Sequence, residues 1–592
     1  MTEENDIHGP LASISMIILS LAWLSIDTNG PLFLKIAITI NMVLITSILF
    51  AKDSRYSIFS LFIIGICLRF HYVSFVDFAQ VPYSDAQIDM FMAGVLQENG
   101  QITFIKHEIY DDRLLYYSSW PLSQICVAVI GAMTGLSTLN STHLMQLFFY
   151  VATFFLAYQI IYVLAEKILA GSESNLRWGI LLFVVLPELN YWQGEYVRLS
   201  LGLLSCYFVI YCMVLMLSQK SRLQSSTILI LSCGMLGFSH NLTTAISVIS
   251  FAIALALLTG ISKIDKSINK LTTKSYITTV LNNVLLLSIV GIIWWSLVGE
   301  VLFPKIQGVI GRYQLLLVEG FSLTHNPVVA VPAALSPVFS KIFLYGRDFL
   351  ILFATAAGFL ILSKENLGKG DLNFNFYFSF SVSYFLTFLL LFFWAEPFRV
   401  LTYASCFMMV SMAKFYSSTK LWKADSGIFS IRSIVLILIL AGSFISPHAH
   451  THAPMYFYDD ELDQTDFGIP ENNAWLATEF VLENANGSLS ISSDHPDYSI
   501  HSVPLGDIGR FYAIFSDVSQ NQDGSISYNA STDIVIFFRG GNLFQMQSAQ
   551  STNSTHLQFT EESEIEVLRK LESSANLVYN QGDKVSVWII PS

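Results

Sequence analysis

The amino-acid sequence predicts a polytopic α-helical membrane protein, with about 13–14 transmembrane helices and a C-terminal extracytoplasmic α/β domain. Its 592 residues are 53% hydrophobic and only 13% charged, with a mean hydropathy of +0.55. Soluble proteins carry about 25% charged residues. The apolar residues form long runs separated by short polar breaks, which indicates a bilayer environment more than a large aqueous core.

The apolar runs occupy the chain as far as residue 447. A hydrocarbon core of ~30 Å needs about 20 apolar residues per helix, and several of the runs are shorter than that. The runs are Leu11–Ile26, Pro31–Phe50, Tyr56–Val76, Trp120–Leu136, His143–Leu169, Trp178–Leu189, Leu199–Leu217, Thr227–Phe238, Leu242–Ile261, Ile277–Phe303, Phe349–Leu362, Phe374–Trp394, Val400–Met412 and Ile434–Ile445. We therefore predict a transmembrane domain over residues 1–447 and a soluble domain over 448–592.

Basic residues predict the orientation of the chain. They cluster in three loops: Lys263, Lys266, Lys270 and Lys274; Lys364 and Lys369; Lys414, Lys420, Lys423 and Arg432. Because basic loops stay in the cytoplasm, the chain after Pro447 is predicted to lie outside, in a multi-pass protein of the cell membrane. Counting forward from Lys52 and Arg55 gives the opposite parity. One early segment is therefore predicted to be re-entrant or split, and Trp120–Leu136 is the candidate.

Composition excludes several classes of function. The first ten residues are acidic and no cleavage site follows the first apolar run, so we expect no removable signal peptide. All six cysteines lie in apolar runs, which argues against disulfides and thiolate zinc sites. The net charge is −13, and acidic residues outnumber basic ones after His448. Nucleic acid is therefore not an expected partner.

Two polar segments are too long to be simple connections. Residues 77–119 and 304–347 are both external in the favoured topology, and loops of this length are usually functional or disordered. Ala86–Leu96 in the first loop reads as a short amphipathic helix on the membrane surface. The second loop, which is rich in proline, resembles a lid lying on the membrane.

The soluble domain is predicted to be a mixed α/β module. Its predicted helices are Asn473–Glu483 and Glu561–Ser573, its predicted strands are Leu489–Ser493 and Asp533–Phe538, and Asn576–Ile590 reads as a terminal hairpin. No nucleophile motif, phosphate loop or dinucleotide fingerprint occurs in this region. We expect it to act as a capping or recognition module.

Five short motifs together resemble the GT-C glycosyltransferases, a superfamily that includes protein O-mannosyltransferases and the catalytic subunit of oligosaccharyltransferases. They are Pro82-Tyr83-Ser84-Asp85, Leu186-Pro187-Glu188, Gly194-Glu195-Tyr196-Val197-Arg198, Ser239-His240-Asn241-Leu242-Thr243 and Trp394-Ala395-Glu396-Pro397-Phe398-Arg399. The resemblance covers roughly residues 61–414 and implies a transferase that takes a sugar from a polyprenyl- or dolichyl-phosphate donor. The implied acceptor is an extracytoplasmic glycan, lipid or protein.

The first external loop departs from two members of that superfamily. It has neither the Asp-x-Asp sequence of oligosaccharyltransferases nor the Asp-Glu pair of protein O-mannosyltransferases. The resemblance therefore does not imply metal-dependent chemistry of the oligosaccharyltransferase kind for this chain, and no metal ligand is assigned. A divalent metal ion as cofactor stays open.

The chemistry of sugar transfer also selects residues. A carboxylate must accept the proton of the acceptor, and cations must neutralise the departing phosphate. Asp85 is the candidate general base, although an aspartate at a loop-to-helix start is equally typical of a helix cap. Asp89 lies one turn later on the same face and is the second candidate catalytic residue.

Arg198, Arg399 and His240 are the candidate phosphate-binding residues. A guanidinium group suits bidentate phosphate binding, although an arginine at a helix end also reaches lipid headgroups. Glu195 and Glu396 precede the arginines by three residues and are candidate supporting residues, or simple local ion-pair partners. For His240, a structural hydrogen bond is an equal alternative.

Two other readings of the sequence remain open. A transporter or flippase for a lipid-linked saccharide predicts charges deep within spans and internal repeats. A non-catalytic scaffold or receptor would leave the long early loop unexplained. The alternating His448, His450 and His452 after the last span favour a linker over a weak metal site.

Overall fold

A computed structural model describes most of the helical region and parts of the C-terminal region. The described residues are 54–69, most of 89–97, 121–169, 176–186, 189–190, 198–217, 222–264, 270–297, 338–391 and 399–418, single residues between 435 and 443, five strands between 489 and 538, and most of 569–589. Asp85, Glu195, Glu396, the three histidines after the last predicted span and the predicted helix Asn473–Glu483 lie outside the described residues.

Eleven helices make up the described bundle. They are α1 (Ser54–Arg69), α2 (Leu122–Thr134), α3 (Thr138–Ile168), α4 (Leu176–Val185), α5 (Arg198–Leu217), α6 (Arg222–Ser239), α7 (Asn241–Ile264), α8 (Lys270–Leu297), α9 (Val338–Asn366), α10 (Leu372–Leu391) and α11 (Arg399–Ser417). Within the described residues, α3, α5, α7, α9 and α10 contain stretches long and apolar enough to cross a membrane. The predicted polytopic helical architecture is therefore confirmed in its coarse form.

Helices α5 and α7 run in the same direction. Gly202 of α5 lies against Thr243 of α7, and one turn further Cys206 Sγ is 3.6 Å from Ser247 Oγ. A glycine at position 202 is required here, because a Cβ atom would come within 2.9 Å of Thr243 Oγ1. The first turns of the two helices therefore approach closely.

Helix α11 is parallel to this pair. Tyr403 hydrogen-bonds Thr243 at 2.7 Å, and Ser405 hydrogen-bonds Tyr207 at 2.6 Å. Three helices thus begin at one end of the bundle, which we call the site end. Their first residues are Arg198, Asn241 and Arg399.

Basic residues mark the opposite end, which we call the basic end. Lys263 lies in the last turn of α7 and Lys414 in the last turn of α11. Lys414 forms an ion pair with Glu365 near the end of α9, directly after Lys364. Residues of all three predicted cytoplasmic loops therefore lie at one end, as the positive-inside rule requires of loops on one side.

Helix α2 does not cross the bundle. At its start, Gln124 reaches Asp89, which is paired with Arg198 at the site end. Its end leads directly into α3, which also begins at the site end, since α3 is antiparallel to α4 and α4 is antiparallel to α11. The contacts that fix these directions are Tyr150 with Phe183, Ile161 with Gly179, Gly179 with Met409, and Trp178 with Tyr416. This geometry supports the prediction that Trp120–Leu136 is re-entrant.

The helical residues of 89–97 lie beside α2. Asp89 contacts Gln124, and Gln97 lies against Gly131, where a Cβ atom would be 2.6 Å from the Gln97 side chain. Gln97 also contacts Thr138 at 3.3 Å. The predicted short helix Ala86–Leu96 is therefore observed over its described residues, as the partner of α2.

Neutral hydroxyl pairs join the helices in the middle of the bundle. Tyrosine and serine side chains are buried there, and a buried hydroxyl group is costly without a partner. The hydroxyl pairs are Tyr207 with Ser405, Tyr377 with Ser411, and Ser250 with Thr387. They connect α5, α7, α10 and α11.

The second long loop is shorter than predicted. Helix α9 begins at Val338, inside the predicted loop 304–347, and continues through the predicted span Phe349–Leu362. Arg347 is buried within this helix, and its Nε donates to Asp348 at 2.8 Å. The pairing of Arg347 with Asp348 thus allows the helix to include charged residues at the predicted end of the loop.

The C-terminal region contains a five-stranded sheet of order β2-β1-β5-β7-β6. Its strands are β1 (Leu489–Ser493), β2 (Gly509–Ala513), β5 (Ile534–Phe538), β6 (Asn576–Gln581) and β7 (Val585–Ile589), and β3 (Val518–Gln520) pairs separately with β4 (Ile526–Tyr528). β1 is parallel to β2 and β5, whereas β6 and β7 form an antiparallel hairpin. Strands β1 and β5 lie at the predicted strands Leu489–Ser493 and Asp533–Phe538, and β6 and β7 lie within the predicted hairpin Asn576–Ile590.

Candidate functional site

A buried ion pair joins two distant parts of the chain at the site end. Arg198 Nε lies 3.3 Å from Asp89 Oδ2, and the other oxygen, Oδ1, accepts a hydrogen bond from Gln124 Nε2 at 3.0 Å. The Asp89 side chain is completely buried and that of Arg198 is 4% exposed. Charged residues are almost never buried without a partner, so this pairing explains why both side chains are tolerated here.

Asp89 also caps helix α5. Its Oδ2 accepts a long hydrogen bond, 3.4 Å, from the backbone N–H of Arg198, the first residue of that helix. The first N–H groups of a helix lack intrahelical acceptors, and a carboxylate beside them is favoured by the helix dipole. One carboxylate thus fixes both the start of α5 and the guanidinium group of its first residue.

His240 separates helices α6 and α7 and caps the start of α7. Its Nδ1 accepts a hydrogen bond from the backbone N–H of Thr243 at 3.2 Å, and Thr243 Oγ1 lies 2.9 Å from the same nitrogen. Since an N–H donor requires an unprotonated acceptor, the neutral ring carries its proton on Nε2. His240 therefore holds a structural position while its second nitrogen is a donor.

Further contacts link the Asp89–Arg198 pair to His240 and to helix α11. Gly202, one turn after Arg198, lies against His240, since a Cβ atom there would be 3.3 Å from the His240 Cβ. Thr243 Oγ1 is also hydrogen-bonded to the hydroxyl group of Tyr403, one turn after Arg399. Arg399 is the first residue of α11 and is half-buried. The candidate residues on α5, α7 and α11 thus lie at one end of the bundle, in adjoining first turns.

Sequence reasoning identified the charged members of this region but missed the neutral ones. It singled out Asp89, Arg198, His240 and Arg399, all of which the structure describes at the site end. Gln124, Gly202, Thr243 and Tyr403 were not assigned roles. The available signal was that Gln124 is a polar residue within an apolar run, and that Thr243 follows His240 at the spacing of a helix cap.

The described part of the chain contains no group of three or more His, Cys, Asp or Glu side chains that could hold a metal ion. The groups suited to a ligand are cationic or donate hydrogen bonds: two arginines, the His240 Nε2–H and the N-termini of three helices. Helix N-termini carry partial positive charge and bind anions. The described site end is therefore suited to an anionic group such as a phosphate.

Comparison with known proteins gave matches among solved structures alone. No protein family model matches the chain, and no curated protein matches its sequence. An oligosaccharyltransferase of Archaeoglobus fulgidus tethered with an acceptor peptide is similar at 12% identity, over 83% of this chain and 70% of that chain, with a TM-score of 0.48. Archaeal oligosaccharyltransferase AglB from the same organism, in complex with an inhibitory peptide and a dolichol-phosphate, matches at 12% identity, 82% and 70% coverage, and a TM-score of 0.47. These neighbours are of the GT-C type that the sequence resembles.

Proposed function

We propose that this chain is a membrane glycosyltransferase of the GT-C type. It transfers a sugar from a polyprenyl- or dolichyl-phosphate donor to an extracytoplasmic glycan, lipid or protein. The observation that carries the proposal is the buried Asp89–Arg198 pair at the end of the bundle where α5, α7 and α11 begin. Arg198, His240 and Arg399, which belong to three of the motifs that resemble GT-C enzymes, lie at this same end.

Arg198 and Arg399 are the proposed ligands of the donor phosphate. Each is the first residue of its helix, so each adds a guanidinium group to the positive end of a helix dipole. The negative charge that develops on the departing phosphate is stabilised by such preorganised donors. The His240 Nε2–H is a third proposed donor in this cluster.

Asp85 is the proposed general base, with Asp89 as a positioning residue. Both Asp89 oxygens are already engaged, by Gln124 and Arg198, and the side chain is fully enclosed. A general base must come within hydrogen-bond reach of the proton that it removes. Asp85 precedes Asp89 by four residues in the sequence, and in the proposal it faces the acceptor while Asp89 holds Arg198. Glu195 and Glu396 support the two arginines.

The transporter reading has one observation in its favour, the burial of Arg69 and Arg347. Charged residues deep in a membrane bundle often mark a transport path. Arg347 is however paired with its neighbour Asp348, and Arg69 is hydrogen-bonded to a backbone carbonyl of α4. Both arginines therefore have local structural partners, and glycosyl transfer remains the proposed function.

Transfer in a defined system tests the function directly. Purified protein in lipid vesicles is expected to transfer sugar from a polyprenyl- or dolichyl-phosphate donor to an added acceptor, but not from a nucleotide sugar without lipid carrier. Mass spectrometry of the acceptor measures the product. Lipid-linked saccharide crossing the vesicle without product would support the flippase, and transfer directly from the nucleotide sugar would contradict the proposed donor.

Labelling tests the proposed side of the C-terminal domain. The domain 448–592 lies outside in the proposal, because the three basic loops belong to the cytoplasm. A cysteine placed at Asn486 is expected to react with an impermeant maleimide on intact cells, while the chain with its native cysteines alone serves as control. Labelling that requires cell lysis would contradict the orientation.

A further inference from the structure

The carbonyl group of Phe183, near the end of α4, lies four residues before a proline in the sequence. Leu186 N donates to Leu182 O at 2.9 Å, and Asn190 N donates to Leu186 O at 3.1 Å, so the helical pattern exists on both sides of residue 187. Residue 187 is proline and has no N–H group. The carbonyl that it would serve in a regular helix, four residues earlier, belongs to Phe183.

Arg69 donates to that carbonyl. Its Nη2 lies 2.8 Å from Phe183 O, and the side chain is completely buried. The guanidinium carbon is 4.6 Å from the centre of the Tyr150 ring and 4.9 Å from that of Phe183. Complete burial rules out snorkelling to the lipid surface, which requires an exposed head group.

The surroundings of Arg69 require a glycine on the same helix. A Cβ atom at Gly65 would lie 2.1 Å from Tyr150 Oη and 3.3 Å from Arg69 Nη1. Without that Cβ, Tyr150 Oη reaches Phe62 O at 2.9 Å and its ring lies along the guanidinium group. Residues of α1, α3 and α4 therefore jointly hold the Arg69 side chain toward Phe183 O.

We propose that Arg69 is a positioning residue that replaces the hydrogen-bond donor removed by Pro187. Proline within a membrane helix is tolerated where a neighbouring helix satisfies the freed backbone group. Arg69 does this from α1, and so fixes the direction in which the chain leaves α4. The segment that follows leads to Arg198, the proposed phosphate ligand, and this functional consequence rests on the proposed function.

A double-mutant cycle tests the pairing. Arg69→Met leaves Phe183 O buried without this donor and removes the cation–π contacts, so the unfolding temperature in detergent should fall by about 2–4 °C. Pro187→Ala restores an N–H at the required position. The Arg69→Met loss should then shrink to less than about half in the Pro187→Ala background. An equal loss in both backgrounds would overturn the proposal.

Two further variants keep the result interpretable. If Arg69→Met yields no folded protein, the yield of folded protein replaces the unfolding temperature as the measurement. Adding Pro187→Ala should then restore that yield, and absence of recovery overturns the proposal. Arg69→Gln keeps a hydrogen-bond donor without charge and should fall between wild type and Arg69→Met. Arg69→Gln no more stable than Arg69→Met would assign the effect to charge and contradict donor replacement.

Activity measurements separate this inference from the proposed function. If the enzyme is active, Arg69→Met at a permissive temperature should lower kcat and be partly rescued by Pro187→Ala. If no transfer is detected even in wild type, the stability cycle still decides whether Arg69 substitutes for the missing N–H. The two failures are therefore distinguishable.

Discussion

The site end and the middle of the bundle satisfy their polar side chains in different ways. At the site end, Asp89 and Arg198 are buried as ions, 109 residues apart in sequence. In the middle, Tyr207 and Ser405 are buried as neutral hydroxyl groups on facing helices. Both arrangements join distant segments, but the first concentrates charge where helices begin, whereas the second contains none.

The difference indicates separate purposes. Neutral hydroxyl pairs within a membrane bundle contribute about 0.6 kcal/mol each and act as packing contacts. A buried ion pair gains little net stability over apolar residues, yet losing one partner costs about 3–5 kcal/mol. Retaining such a pair is therefore poorly explained by stability alone. It is better explained by a need for a fixed cation, which the proposed phosphate ligand Arg198 supplies.

The largest expected effect concerns the proposed base. Asp85→Asn should lower transfer by about 10²–10⁴-fold, the usual contribution of a general base. Asparagine caps a helix as well as aspartate, so folding should be nearly unchanged. Transfer rates and thermal unfolding measure the two effects, with Asp112→Asn in the same loop as the control. Near-normal transfer by Asp85→Asn would show that Asp85 is not the general base.

A second cycle tests the ion pair itself. Asp89→Asn and Arg198→Met should each destabilise the protein by about 3–5 kcal/mol, and the double variant by clearly less than their sum, because neither charge is then left alone. Thermal unfolding in detergent provides the measurement. The exposed Lys414–Glu365 pair at the basic end is the control, since exposed pairs contribute only about 0–1 kcal/mol. Additive losses at the site end would mean that the pair does not act as a unit.

The success of sequence reasoning differs between these two regions for a physical reason. Apolar runs predicted the helices, and the boundaries of those runs placed Arg198, His240 and Arg399 at or beside helix starts, where the structure has them. The pairing of side chains is harder to predict, because nothing in the sequence shows whether Asp89 faces solvent or a guanidinium group 109 residues away. Which hydroxyl meets which depends on helix rotation, and the sequence contains no periodic signal for it. Asp85 falls outside the described residues and stays a prediction.

His240 offers a smaller and more selective effect. Its Nδ1 caps α7, so His240→Ala should destabilise the protein by about 0.5–2 kcal/mol, while His240→Asn retains a capping side chain and should be nearly as stable as wild type. If Nε2–H contacts the donor phosphate, both variants should lose transfer to a similar extent. Full transfer by His240→Asn, measured alongside thermal unfolding, would reduce His240 to a helix cap.

The smallest expected effect is that of Tyr207→Phe in the middle of the bundle, where the loss of stability depends on which hydroxyl group is removed. Ser405 Oγ donates to the carbonyl of Thr402, so Tyr207 Oη must be the donor in the Tyr207–Ser405 bond. Tyr207→Phe removes that donor and leaves Ser405 with its carbonyl partner, at a cost of about 0.6 kcal/mol. Ser405→Ala instead leaves the Tyr207 hydroxyl with the weakly accepting thiol of Cys406, and should cost about 1–3 kcal/mol. Thermal unfolding of the two variants decides the order, and neither should alter transfer at a permissive temperature. A larger loss of stability for Tyr207→Phe would contradict this assignment of donor and acceptor. A loss of transfer in either variant would show that the middle of the bundle takes part in function as the site end does.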